Sequence, residues 1–66
     1  MTQLNNKFES VINQIKIDNS KELETMTLSE YVKLNVEAND YFFFTADTDE
    51  EVATLNSQFI EYVESL

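Results

Sequence analysis

Sixty-six residues with thirteen acidic side chains, four lysines and no arginine give a formal net charge of −9 and one small acidic domain, or part of one. The chain has no Cys and no His, which excludes disulfide staples, the usual zinc ligands, and the commonest catalytic base and nucleophile. It also has no Gly and no Pro, which excludes glycine-rich phosphate loops, disfavours two-residue hairpins and favours helices joined by polar loops.

Residues 2–17 read as a first helix. Leu4, Phe8, Val11, Ile12 and Ile15 fall within about a third of the helix circumference, and polar residues cover the rest. Thr2 is the expected N-cap. Ile17 is out of phase with the stripe, and the turn formers Asp18, Asn19 and Ser20 follow it, so the helix should end near Ile17. Residues 21–26 fit either a short helical turn capped by Ser20 or a loop, with Leu23 and Met26 closing one end of the core.

Thr27 opens a second element. Thr27 and Glu30 have the spacing of a capping box, in which the threonine oxygen and the glutamate carboxylate each take one orphan backbone N–H. A helix over residues 27–43 places Leu28, Tyr31, Val32, Asn35, Ala38, Phe42 and Phe43 on one broad face. Ser29, Glu30, Lys33, Glu37 and Asp40 then lie opposite. The competing reading is a β-hairpin at 31–45, because residues 31–36 alternate with period two and residues 41–46 are β-prone. The capping box, the missing turn glycine and the continuous polar face favour the helix.

Tyr41, Phe42, Phe43 and Phe44 form the densest aromatic run in the chain. On a helix these four cannot share one face. Phe42 and Phe43 are expected inward, and Tyr41 and Phe44 to the sides, where exposed rings serve as contact anchors.

Residues 48–65 give the clearest helix. Val52, Leu55, Phe59, Tyr62, Val63 and Leu66 recur at helical spacing. Asp47 with Glu50, and Thr48 with Glu51, are two candidate capping boxes, and the early acids suit the positive end of the helix dipole. Ala53 and Ile60 widen the apolar face, with Asn56 between them and the main stripe, so this helix should touch two neighbours or a second copy.

The fold expected is therefore all-α, a three-helix arrangement over 2–17, 27–43 and 48–65. The alternative is α+β, with the hairpin at 31–45 between two helices.

Little in the sequence supports catalysis, and no enzyme activity or cofactor is expected. Asp47, Asp49 and Glu51 have the alternating spacing that opens a calcium-binding loop. Val52 then stands where that loop needs Gly, and Gln58 where it needs a bidentate Glu, so no metal is expected. The negative charge disfavours direct nucleic-acid and anionic membrane contact. No basic, apolar leader and no span of about 20 apolar residues occurs, so a soluble cytoplasmic protein is expected.

What remains is acidic display. Glu30, Glu37 and Asp40 follow one face of the second element, and Glu50, Glu61 and Glu64 one face of the last helix. Glu50 and Glu61 are about 16 Å apart at a rise of about 1.5 Å per residue. Such rows resemble, in physical type and without a family motif, the small acidic proteins that occupy the DNA-binding sites of nucleases. The partner expected is another protein with a basic surface, and the chain fits a phage or mobile-element inhibitor. The expected contact residues are Tyr41, Phe44, Glu30, Glu37, Asp40, Glu50, Glu61 and Glu64. The alternative is a homodimer or other homo-oligomeric structural module.

Overall fold

In the computed structural model the backbone is described for residues 2–66 and side chains from residue 5 onward. The expected roles of Thr2 as a cap and Leu4 as a stripe residue concern side chains outside the described residues. The architecture is all-α. Helix α1 spans Thr2–Asp18, a single 3₁₀ turn spans Glu22–Glu24, α2 spans Leu28–Ala38 and α3 spans Asp49–Glu64. No strand occurs among the described residues, so the hairpin reading of 31–45 is overturned.

The helices run up, down and up. Phe8 and Glu9 of α1 meet Phe59 and Tyr62 of α3, and Lys16 lies beside Leu66, so α1 and α3 are parallel. The start of α2 lies beside Val63 and Leu66, and the carbonyl of Asp40, just past its end, meets Asn56. Helix α2 is therefore antiparallel to α3.

Apolar periodicity builds the core. Phe8, Ile12 and Ile15 come from α1, Tyr31 and Val32 from α2, Phe44 from the α2–α3 connection, and Val52, Phe59 and Val63 from α3. Phe59 is the hub, with the rings of Phe8, Phe43 and Phe44 centred 5.2, 5.3 and 5.2 Å away. Edge and tilted ring packing of this kind adds to the area buried. The least extent of the molecule is 19 Å, roughly two helix diameters of about 10 Å. A core this thin relies on bulky aromatics to fill it.

Both internal helix starts are capped, α2 by the full box the sequence predicts and α3 by a threonine side chain without the reciprocal glutamate bond. The Glu30 amide donates to Thr27 Oγ1 at 3.2 Å, and the Thr27 amide donates to Glu30 Oε1 at 2.9 Å, completing the box. At α3 the second of the two candidate pairs supplies the cap, with the Glu51 amide donating to Thr48 Oγ1 at 3.2 Å.

Helix α2 stops at Ala38, five residues short of the expected 43. Asn39 is extended, with φ −159° and ψ 107°. Its Oδ1 accepts from the Tyr41 amide at 3.1 Å, and its backbone carbonyl accepts from the Phe42 amide at 3.0 Å. A short amide side chain that bonds the backbone two residues on competes directly with the helix. Residues 39–48 therefore form an irregular connection. No described residue takes a positive φ, so every turn is made without glycine. No helix among the described residues is long and apolar enough to cross a membrane.

Candidate protein-binding surface

All thirteen carboxylates are exposed. Among the described residues one ion pair forms, between Lys33 and Glu64 at 2.5 Å. Lys7 instead places its ammonium 5.4 Å from the centre of the Phe44 ring. Most of the negative charge is thus displayed without a cationic neighbour.

The expected contact residues divide by what else they do. Glu30 is exposed, but its carboxylate is committed to the Thr27 cap. Hydrogen bonds from the Thr27 backbone and then its side chain hold Glu30 below the usual glutamate range. Glu64 is committed to Lys33. Glu37 lies on the outer side of α2 near exposed Leu34, and Glu50 and Glu61 lie on the outer side of α3, all three exposed. Asp40 has an exposed carboxylate, while its backbone carbonyl is used by Asn56.

Two aromatic assignments are corrected. Phe44 is 3% exposed and packs edge-on against Phe8 and Phe59, so it is a core residue and not a surface anchor. Phe42, expected inward, is 50% exposed. The cause of both is the end of α2 at Ala38. Past that point the backbone no longer follows the helical period, so each ring points where its own turn sends it. Phe43 stays partly buried against the core, with the Phe42 ring packed edge-on against it at 4.8 Å.

Tyr41 is on the surface as expected, at 43% exposure. Its hydroxyl donates to the Asp49 carboxylate in the first turn of α3. That bond, with smaller contributions from burial and from the charges of Asp49 and Asp40, raises the phenol above its ordinary value. The turn at 39–42 and the start of α3 are therefore tied together. Beside Tyr41 stand the carboxylates of Asp40 and Asp49, and the sequence holds no lysine or arginine from residue 34 to 66.

Asn56 organises this end from below. It is 4% exposed, and its Nδ2 donates to the Asp40 carbonyl at 2.7 Å, while Oδ1 is buried with no partner. Its importance was not anticipated from the sequence, although its spacing from Val52, Phe59 and Val63 already puts it on the core face. Of the two residues expected to widen that face, Ile60 packs against the core and Ala53 stays exposed.

Asp47, Asp49 and Glu51 precede or open α3. Among the described residues no three acidic side chains converge as a metal site would require. Comparison with known proteins gives no match to any family profile, curated protein or solved structure.

Proposed function

We propose that the protein is a small acidic binding module that docks on the basic surface of another cytoplasmic protein and modulates or inhibits it, in the manner of a DNA mimic. The supporting observation is the exposure of all thirteen carboxylates with one ion pair among the described residues. A surface of this kind attracts a cationic partner over roughly a Debye length and speeds encounter. It also favours a partner of positive charge. Two copies would each bring a charge of −9 to a shared interface, which disfavours the homo-oligomeric reading.

The test is capture on the immobilised protein from a lysate of the native host, eluted first in salt steps and then, in a parallel run, with duplex DNA. The expected result is recovery of basic, nucleic-acid-handling proteins that are released steeply by salt and displaced by DNA. Retention indifferent to both would overturn the proposal.

A further inference from the structure

The turn at 39–42 carries a feature that acidity alone does not explain. Tyr41 and Phe42 are adjacent and exposed, while the next two rings are turned toward the core. Neither exposed ring is loosely held. Tyr41 is tied through its hydroxyl to Asp49, and Phe42 is packed edge-on against Phe43. The backbone beneath them is fixed by Asn39 and by the bond from Asn56 to the Asp40 carbonyl. A surface ordered in advance loses little conformational freedom when it is occupied.

Resting on the reading of the protein as an acidic binding module, we propose that Tyr41, Phe42 and the carboxylates of Asp40 and Asp49 form its docking surface, and that this surface receives arginine side chains from a basic protein segment. Aromatic faces beside carboxylates suit a guanidinium. The ring quadrupole attracts the cation, its flat apolar faces stack on the ring, and the carboxylates accept its N–H groups. The fold makes a contact of this type internally, where the Lys7 ammonium approaches Phe44. An uncharged apolar partner would leave the carboxylates desolvated and unpaired. A second copy would present the same charges to itself. The acidic side of α3 offers Glu61 beside polar Ser57 and Thr54 but no exposed ring.

The experiment is an NMR titration of the full isotopically labelled chain with a synthetic peptide of alternating arginine and glycine. A peptide with citrulline in place of arginine serves as the neutral control. Amide shifts should concentrate at residues 39–51, and the citrulline peptide should produce none. Phe42→Ala should weaken binding about fivefold, and Phe42→Leu, which keeps apolar bulk without the ring, should weaken it nearly as much. Glu24→Gln, an exposed carboxylate in the 3₁₀ turn, should stay within about twofold of the parent. Amide dispersion like the parent's in each variant establishes that the fold is intact. Shifts centred on Glu61, with Phe42→Ala binding as the parent does, would overturn this docking surface and leave the acidic-module reading standing. Equal binding of the citrulline peptide, or no binding of the arginine peptide, would overturn the choice of arginine as ligand. The salt and DNA dependence of lysate capture tests the broader reading separately.

Discussion

Asn56, in the middle of α3, donates a 2.7 Å hydrogen bond to the carbonyl of Asp40, sixteen residues earlier in the chain. Among the described residues it is the one buried polar side chain, and it joins the end of α2 to the body of α3. Asn56→Ala leaves the Asp40 carbonyl without this donor and also removes the unpaired Oδ1. The two effects oppose each other, so the expected loss is about 1 kcal/mol, toward the lower end of the range for a buried hydrogen bond. Urea denaturation measures it. Hydrogen exchange should show faster opening of residues 39–48 than of α1. A variant as stable as the parent, with unchanged protection there, would show that the bond does not hold the connection.

Phe44 and Phe42, two residues apart, should respond oppositely to truncation. Phe44→Ala opens a cavity among Phe8 and Phe59 and should cost about 3–5 kcal/mol. A 66-residue domain has roughly 3–10 kcal/mol in total, so this variant should be largely unfolded or close to it. Phe42→Ala should cost no more than about 1 kcal/mol, because its ring is half in solvent. Thermal melts followed by circular dichroism separate the two. Similar melting temperatures for both variants would contradict the packing described.

The Thr27–Glu30 box predicts an acid-sensitive helix start. Glu30 is held below its ordinary value in the folded chain, so its contribution is present above the unfolded value of about 4.3 and disappears as pH falls through the lower folded value. Glu30→Gln keeps a side-chain acceptor for the Thr27 amide but removes the titrating group. The acid limb of a stability–pH curve should therefore be shallower in that variant. Thr27→Ala should lower stability by about 1 kcal/mol at neutral pH.

All three tyrosines should titrate above an ordinary phenol. Burial is the main cause for Tyr31 and Tyr62, and the bond to Asp49 for Tyr41. Raised folded values mean that these groups favour the folded state fully below the unfolded value of about 10, and that this advantage is lost as pH rises through the folded values. Asp49→Asn should bring one phenol back toward its ordinary value, read as phenolate absorbance against pH. Three unshifted transitions in that variant would show that Tyr41 is not governed by Asp49.

Much of this fold was legible in the sequence because most of its helical signals are local. The stripe Phe8, Ile12 and Ile15 and the stripe Val52, Phe59 and Val63 each repeat within one helix, and both are buried. The Thr27 and Thr48 caps depend on spacing three residues apart, and both form. The end of α2 was missed because two local signals disagreed. Helical periodicity can be extended to 43, while Asn39 and Asp40 favour a turn, and the bond from Asn56 that holds that turn comes from a distant part of the chain. The candidate site inherits that error. Exposure of the acids follows from composition, and Tyr41 was placed correctly, but the inward turn of Phe44 and the outward turn of Phe42 depend on a backbone that is no longer periodic.

The distribution of cations has a practical consequence at the bench. Every side-chain amine belongs to Lys7, Lys16, Lys21 or Lys33, in α1, the 3₁₀ region or α2. Amine-reactive dyes and supports that couple through lysine cannot attach anywhere from residue 34 onward, so the 39–42 turn is left unmodified on a resin or sensor chip. Trypsin likewise has no cleavage site after Lys33, and Tyr41, Phe42, Asp49 and Asn56 would be recovered together on one peptide in any footprint of a bound partner.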